Sequence, residues 1–234
     1  MTELTYLEKN KEEIKALECP ECRARFKQFI AKYQAEVYQK GQTFLLQHET
    51  PRGVFVIESG RARSYTIAAD GREQLIAIHS SGEDVPVGYA VGLTERSQCF
   101  YEAYTKCVVR IIPREEFVKH LTSDPELMFQ MNVYNTAQLL SMLNRINALE
   151  QPRAGNKIAL TLVYLAERLG VNLWPKPKFP IISITQSEIA DLLGLTRETA
   201  SGELKKLQDH DIISYSRKNY TLNTDNLREY LESQ

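Results

Sequence analysis

The chain has 234 residues, and its hydrophobic fraction of 43% is enough to bury a core in one large domain or in two modest ones. Its 29 Lys and Arg nearly balance its 30 Asp and Glu, and the net charge of −1 argues against a protein that coats nucleic acid through bulk attraction. No apolar run approaches the roughly 18 residues of a membrane span and no signal-peptide pattern is present, so we expect a cytoplasmic protein without a membrane partner.

A Cys-x-x-Cys motif lies in the first predicted unit, a helical segment covering residues 1–35. Its cysteines, Cys19 and Cys22, are spaced so that two sulfurs can meet one metal ion, one cluster edge or each other. Cys99 and Cys107 bring the number of cysteines to four. In an intracellular chain, four cysteines favour thiol or metal chemistry over a disulfide framework.

Short runs of β-branched and aromatic residues, separated by turn signals, characterise the second predicted unit, residues 36–122. Even strand spacing with glycine turns predicts a β-sandwich or jelly roll, here called the β-roll. Asp70-Gly71, between two alternating runs, is a strong hairpin signal. The runs occupy residues 54–57, 63–67, 74–78 and 108–112.

A short helix and then a long one follow the β-roll. Pro113 opens the short helix, which ends at about Leu121, and Asp124-Pro125 starts the long helix, which ends before Pro152. The long helix, assigned to residues 123–151, has more than one apolar stripe: Leu127, Met131, Tyr134, Leu139, Met142, Leu143, Ile146 and Leu149. This pattern predicts burial against the β-roll and against a second subunit, so we expect a homodimer. Packing within the monomer alone is the alternative.

Two helices joined by a tight turn are predicted in the last unit, residues 152–234. Thr185 and Glu188 have capping-box spacing, which starts the first helix at about Gln186. Gly194 ends that helix where a positive φ is needed, and Thr196 caps the second helix. The second helix has an inward set and an outward set: Ala200, Leu204 and Leu207 against Arg197, Glu198, Ser201 and Gly202. Outward positions near the N-terminus are where a recognition helix meets base edges.

Two alternating runs, residues 212–216 and 220–222, come next around a polar turn, and they predict the wing of a winged helix. An amphipathic helix pair inside an all-α core is the alternative interpretation of the two helices. The whole chain is thus predicted to be α+β, with an N-terminal β-roll, a long helix and a C-terminal winged helix-turn-helix.

Residues 196–207 resemble the recognition helix of the Crp/Fnr family of bacterial transcription factors, the cyclic-AMP receptor and fumarate-nitrate regulator type. Residues 39–43, Ser59-Gly60 with 64–67, and Asp70-Gly71 with Glu73-Gln74 are similar to the family's cyclic-nucleotide-binding-like roll. The resemblance covers nearly the whole chain. It implies an effector-sensing roll at 36–122, a dimerisation helix at 123–151 and a DNA-binding domain at 152–234.

This resemblance implies a sequence-specific, DNA-binding transcription regulator that binds a palindromic site in double-stranded DNA as a homodimer. An effector or redox signal at the N-terminal domain would control it, and RNA polymerase is a candidate partner. The alternative is a β-roll ligand-binding protein whose winged helix mediates protein contacts. The chain has no G-x-S-x-G, P-loop or H-E-x-x-H motif, so we do not expect an enzyme.

The resemblance also assigns roles on the recognition helix. Arg197 is expected to donate to a guanine and Glu198 to accept from a cytosine N4, with Ser201 as a third reader. Four residues are expected to contact phosphates: Thr185, Thr196, Thr199 and Lys205. Gly202 departs from the family, in which many members carry Arg at this position. The operator is therefore expected to differ from the usual half-site.

Candidate effector positions come from the same resemblance. Members that respond to cyclic AMP hold its phosphate with a Gly-Glu pair and an Arg-Ser pair, and its base with hydroxyls of the long helix. The aligned residues here are Gly88-Tyr89, Ser97-Gln98 and Met142-Leu143. Because the arginine and the acidic partner are missing, charge-assisted contacts are lost and cyclic AMP is not the expected ligand.

Oxygen-sensing relatives hold a [4Fe–4S] cluster with an N-terminal Cys-x-x-Cys and two further cysteines. Here Gln28 and Arg110 occupy the positions of those two further cysteines, so the ligand pattern of an iron-sulfur cluster is incomplete. Cys99 and Cys107 are the candidates that would complete it, although Cys107 and Arg110 are predicted to point to opposite strand faces. A bound cluster, a redox-active thiol pair and unligated cysteines remain as alternatives.

Overall fold

The computed structural model describes residues 19–169, 181–216 and 219–232. Backbone contacts divide them into an N-terminal unit that ends at Ala137 and a C-terminal unit that begins at Gln138. Across these described ranges, no helix combines the length and the apolar character that a membrane crossing requires.

The N-terminal unit consists of two four-stranded antiparallel sheets with helices before, between and after their strands, which confirms the predicted roll. One sheet has the order β1-β8-β3-β6 and the other β2-β7-β4-β5. The strands are β1 (Ala35–Tyr38), β2 (Thr43–Leu45), β3 (Val54–Ser59), β4 (Ala62–Ile67), β5 (Glu73–His79), β6 (Asp84–Val85), β7 (Phe100–Ala103) and β8 (Cys107–Ile112). The helices are α1 (Pro20–Ile30), α2 (Val87–Ala90) and α3 (Arg114–Ser123).

Glycines in tight turns fix the register of neighbouring strands in the roll. The predicted hairpin at Asp70-Gly71 joins β4 to β5, and Gly71 has φ +85, the left-handed region that favours glycine. Gly60, between β3 and β4, also has φ +85, and a Cβ built there would lie 2.2 Å from the carbonyl oxygen of Lys106. Only glycine therefore fits where the chain crosses between the two sheets.

Two apolar clusters form the core of this unit. The interior cluster lies between the sheets and is built from Phe44, Leu45, Phe55, Ile57, Ala62, Val85, Tyr101, Ala103, Cys107 and Val109. The outer cluster packs α1 and α3 onto the other face of β3, and its larger members are Phe26, Phe29, Ile30, Phe117, Leu127 and Met131. Both faces of β3 are therefore covered, which is why its first four residues are all buried.

The long helix α4 (Pro125–Glu150) confirms the predicted helix almost to the residue. Asp124 Oδ1 accepts from the backbone N–H of Leu127 at 3.0 Å, the contact of an N-terminal cap. Large apolar side chains of α4 are nevertheless exposed: Met128, Phe129, Leu139, Leu143 and Ile146. These side chains form apolar surface that the described part of the chain leaves uncovered.

The C-terminal unit places three short strands beside helices. The strands form an antiparallel sheet of order β10-β11-β9. Its elements are α5 (Ala154–Leu169), β9 (Ile181–Ser183), α6 (Gln186–Leu193), α7 (Arg197–Asp209), β10 (Ile213–Ser216), β11 (Asn219–Leu222) and α8 (Thr224–Glu232). The predicted wing is confirmed as the β10–β11 pair, and part of its polar turn, residues 217–218, lies outside the described residues.

Gly155 allows the helices of this unit to pack closely. A Cβ at this position would lie 2.8 Å from a carboxylate oxygen of Glu203 on α7 and 2.9 Å from the hydroxyl of Tyr230 on α8. Gly155 therefore lies directly against side-chain ends of α7 and α8.

Candidate nucleic-acid interface

The helix pair begins with a complete capping box at α6. Thr185 Oγ1 accepts from the backbone N–H of Glu188 at 3.2 Å, and Glu188 Oε2 accepts from the backbone N–H of Thr185 at 2.7 Å. Two backbone donors at the start of the helix are thereby satisfied. The prediction of a helix starting at Gln186 is confirmed.

A left-handed glycine makes the turn between the two helices. Gly194 has φ +63 and ends α6, and the backbone N–H of Leu195 donates to the carbonyl of Ala190 at 3.0 Å. Thr196 then caps α7, because its Oγ1 accepts from the backbone N–H of Thr199 at 3.2 Å. Both predictions for this turn are confirmed.

The faces of α7 agree with the predicted division. Ala200, Leu204 and Leu207 are buried. On the outward side, Arg197, Glu198 and Gly202 are exposed, while Ser201 is half-buried. The candidate base-reading residues therefore share one face at the N-terminal end of the helix, but their roles in DNA reading remain predictions.

The charged groups of this face are available to a ligand. Lys206 donates to Glu203 at 2.6 Å within the helix. By contrast, Arg197, Glu198 and Lys205 form no side-chain hydrogen bond or ion pair with any residue that the structure describes. An arginine and a glutamate without partners on an otherwise well-capped helix N-terminus suit recognition of polar groups rather than support of the fold.

The hydroxyl groups proposed for phosphate contacts already form hydrogen bonds within the chain. Thr185 Oγ1 donates to Glu188 Oε2 at 2.8 Å, so its hydrogen is already committed. The hydroxyls of Thr196 and Thr199 lie 2.9 Å apart and share one hydrogen bond. One hydroxyl hydrogen of this pair is left to donate, whereas Thr185 can offer a phosphate no donor from its side chain.

An open groove of about 700 Å³ runs between α7 and the wing. Ser201 and Lys205 line it from α7, and Ser214 and Tyr215 line it from β10. The ring of Tyr215 packs against that of Tyr220 in a tilted arrangement, with 4.6 Å between centroids, and burial raises the pKa of the Tyr220 phenol to about 12. Sequence reasoning missed Ser214, Tyr215 and Gln208 as groove residues, since their positions depend on how the wing packs beside α7.

The candidate effector residues are distributed over both units. Gly88 and Tyr89 lie in α2, where the guanidinium of Arg114 covers the ring of Tyr89 at 5.0 Å. Ser97 is fully buried and donates to the carbonyl of Cys99 at 2.6 Å, so its hydroxyl holds the loop together. Gln98 is exposed. Met142 and Leu143 belong to the part of α4 within the C-terminal unit, half-buried and exposed respectively.

A buried polar group inside the roll was not selected from the sequence. His79 Nε2 lies 2.9 Å from Ser64 Oγ, and its Nδ1 lies 3.4 Å from Glu83 Oε2. Asp84 is also buried, and burial raises the pKa of its carboxyl to about 6. Ser64 and His79 come from β4 and β5, and only the register of that hairpin reveals that the two strands place them together.

The four cysteines fall into two separate groups. Cys19 and Cys22 join in a disulfide at the start of α1, where Cys22 belongs to the outer cluster. Cys107 belongs to the interior cluster with Cys99 packed against it, and burial raises the pKa of both thiols. The structure therefore does not bring Cys99 and Cys107 to the Cys-x-x-Cys pair.

A four-cysteine iron-sulfur cluster accordingly does not fit these residues. Gln28, at one position where a ligand is expected, is exposed on α1. Arg110, at the other, pairs with Glu58 at 2.8 Å on the strand face opposite to Cys107, as the odd spacing predicted. The described residues that place at least three potential ligand atoms together are Cys19, Cys22 and Glu126.

Two family descriptions match this chain. The Crp-like helix-turn-helix domain matches residues 156–230, and the cyclic nucleotide-binding domain matches residues 35–124. The first match contains the helix pair and the wing, and the second contains both sheets of the roll. The whole of α4 lies between the two matches.

Curated relatives are similar over most of their length. The fumarate and nitrate reduction regulatory protein of Vibrio cholerae is 28% identical over 184 residues, which cover 79% of this chain and 72% of that relative. The nitrogen fixation regulation protein FixK of Azorhizobium caulinodans is 27% identical over 178 residues, covering 76% and 70%. Both similarities therefore extend beyond a single domain.

Solved structures share the fold. FixK2 from Bradyrhizobium japonicum superposes with a TM-score of 0.68 at 22% identity, covering 84% of this chain and 96% of that one. The c-di-GMP responsive regulator CLP of Xanthomonas campestris gives 0.67 at 22% identity, covering 86% and 98%. The order of roll, long helix and winged helix is common to this chain and such structures.

Proposed function

The chain belongs to the Crp/Fnr family of DNA-binding transcription regulators, and from this premise we propose that it reads a palindromic operator through two copies of α7. The observation that carries the proposal is the exposed pair Arg197 and Glu198 at the capped N-terminus of α7, without a partner among the described residues. In the major groove, an arginine pairs with guanine O6 and N7, and a glutamate accepts from cytosine N4.

Phosphate contacts would fix the register of this helix on the duplex. Lys205 supplies a cation on the groove beside the wing, and the Thr196–Thr199 pair supplies one hydroxyl donor at the start of α7. The net charge of −1 makes these local donors, rather than bulk attraction, the source of affinity.

A homodimer would present two recognition helices to one operator. One winged helix reads few base pairs, so its specificity ratio is small. The exposed apolar residues Leu139, Leu143 and Ile146 recur at helical spacing on α4, as a helix that pairs with a second copy requires. Two-fold pairing also predicts an operator whose half-sites repeat with two-fold symmetry.

We further propose that a signal at the N-terminal domain controls operator binding. An effector shifts such a regulator only if it binds the DNA-competent state more tightly than the other state. Cyclic AMP is not the proposed effector, because the aligned positions lack its charged partners and Ser97 uses its hydroxyl within its own loop. We place this activity in the cytoplasm, with RNA polymerase as a candidate partner of the DNA-bound protein.

Selection of bound sequences from a random pool of duplexes tests the proposal. We expect a two-fold symmetric site with half-sites about one helical turn apart, roughly 10 base pairs between centres. Binding to that site should weaken steeply as salt concentration rises, because phosphate contacts release counterions. Enrichment of no sequence, with equal binding to all duplexes, would contradict sequence-specific regulation.

A further inference from the structure

Two sulfurs and a carboxylate converge where α1 meets the start of α4, both within the N-terminal unit. Cys19 and Cys22 lie at the N-terminus of α1, and Glu126 lies in the first turn of α4. One ligand atom from each residue lies within 4.8 Å of the other two. Tetrahedral zinc, with bonds of about 2.3 Å to sulfur and about 2.0 Å to oxygen, separates its ligands by roughly 3.5–3.8 Å. After reduction of the disulfide the two sulfurs would move apart to that separation, and the Glu126 carboxylate lies near enough to complete the set.

Hydrogen-bond donors lie against both sulfurs. Cys19 Sγ accepts from the backbone N–H of Cys22 at 3.1 Å. The Arg25 guanidinium lies 3.5 Å from Cys22 Sγ and donates to Glu126 Oε2 at 2.9 Å. After reduction, these donors would face the sulfur ligands of a bound metal ion. Since a carboxylate has two oxygens, Glu126 can bind a metal ion while it remains paired with Arg25.

A buried amide beside Cys19 lacks an acceptor, and this observation is independent of the ligand set. Gln130 is only 2% exposed, and its Oε1 accepts from the backbone N–H of Cys19 at 2.7 Å. Its Nε2 has no hydrogen-bond partner among the residues with described positions. Buried donors of this kind are normally satisfied, and the side chains that bind a metal ion are usually hydrogen-bonded to neighbouring groups. A metal-bound thiolate or water would be the acceptor that Gln130 lacks.

We propose that the reduced protein binds a divalent ion of the zinc class through Cys19, Cys22 and Glu126, so that the metal joins α1 to α4. Two thiolates favour zinc over magnesium or calcium, and the carboxylate suits a divalent ion better than copper(I). The fourth position is open to water or to Glu21, whose Oε2 lies 3.7 Å from Cys19 Sγ. In the structure the two cysteines form a disulfide, which offers no thiolate, so the site exists in the dithiol form alone.

The full-length chain, reduced with a phosphine under argon, provides the test. After incubation with zinc ion and removal of the excess, we expect one zinc per chain by elemental analysis. Competition with a chromophoric chelator should show at least tenfold weaker binding for Cys19→Ser and for Glu126→Gln. Cys99→Ser and Glu115→Gln, which change a cysteine and a glutamate outside the site, should bind zinc like the wild type. Protein kept in the disulfide form should bind none.

Cobalt(II) substitution gives a second readout, which reports directly whether sulfur binds the metal ion. The reduced wild type should show a thiolate-to-cobalt charge-transfer band, and Cys19→Ser should lose intensity in it. Zinc uptake that is unchanged in Cys19→Ser and Glu126→Gln would overturn the proposal. Incorporation of iron and sulfide that depends on Cys99 or Cys107 would also overturn it. Metal content is measured without DNA, so these outcomes are independent of the proposed operator binding.

Discussion

Arg197 and Lys205 carry the same charge on one helix, but their positions suit different tasks. Arg197 occupies the first position of α7, next to its cap, where a side chain reaches base edges. Lys205 lies two turns later and lines the groove beside the wing. Both are exposed, so replacing either with alanine should leave the fold intact.

Arg197→Ala should relax sequence choice at one base pair of each half-site, with a loss of about 1–3 kcal/mol on the preferred operator. Lys205→Ala should weaken binding to all duplexes nearly uniformly and lower the salt dependence by about one phosphate contact. Fluorescence anisotropy with the preferred duplex and single-base variants measures both effects. Equal discrimination by wild type and Arg197→Ala would remove Arg197 from the base-reading set.

Asp84 should make the roll more stable in acid. Because burial raises the pKa of its carboxyl from 3.8 to about 6, the folded state binds this proton more tightly than the unfolded state. Below about pH 4 the carboxyl is protonated in both the folded and the unfolded state and does not lower the free energy of unfolding. That free energy falls as pH rises towards about 6, because the unfolded state loses the proton first. At neutral pH, this difference in pKa between the two states lowers the free energy of unfolding by about 2–3 kcal/mol.

Asp84→Asn should remove this loss of stability at neutral pH. We expect its free energy of unfolding to exceed that of the wild type at pH 7 and to approach it at pH 4, as measured by urea denaturation at both pH values. Asp70→Asn is a matched change at an exposed acid in the hairpin turn, and it should not reproduce this gain at pH 7. An equal difference between wild type and Asp84→Asn at both pH values would contradict the assignment.

Residues that act locally were predictable from the sequence. Thr185 and Glu188 cap α6 because the two residues are three apart and need no distant partner. The contact between Ser64 and His79 depends on the register of β4 and β5, and the contact of Gln130 with Cys19 spans 111 residues. Sequence spacing contains no information on such distances, so these residues came from the structure alone.

At the scale of elements, α7 contains a glycine where a better helix former would fit. Gly202 is exposed, and a Cβ added there meets no atom within 4 Å. Gly202→Ala should therefore stabilise the C-terminal unit by about 1 kcal/mol, the propensity difference between the two residues. Thermal unfolding followed by circular dichroism measures the change. Gly60→Ala is the contrasting control and should destabilise, because Gly60 has φ +85 and a Cβ there would lie 2.2 Å from the backbone carbonyl oxygen of Lys106.

Long elements were predicted well, and short ones were not. The 26-residue helix α4 was evident from its proline start, its lack of glycine and its apolar stripes. The four-residue helix α2 and the three-residue strand β9 have no comparable pattern, and β9 exists through its pairing with β11. Elements of this length owe their conformation to neighbours rather than to propensity.

At the scale of the whole molecule, the proposed dimer would be held by apolar side chains of α4 that are exposed in the structure. Leu139→Glu combined with Leu143→Glu should convert the dimer to a monomer, because charges cannot be buried between two helices without partners. Light scattering after size-exclusion chromatography measures the mass. Affinity for the palindromic duplex should fall by about a hundredfold, since the second half-site no longer binds with the first.

Leu93→Glu provides the matched control for that change. Leu93 is 82% exposed in the loop after α2, so the substitution introduces the same charge at an exposed leucine away from the long helix. It should remain dimeric. A Leu139→Glu/Leu143→Glu protein with unchanged mass would show that the exposed stripe of α4 is not the dimer interface.

Because Gly202 lies on an open surface, a change there can affect DNA recognition without weakening the fold. Stability does not account for a glycine at this position, because a side chain there would strengthen the helix and touch nothing in its own chain. Gly202 lies on the face of α7 that is predicted to meet the duplex. Substitutions at this single site are therefore expected to change the preferred operator while the protein stays folded.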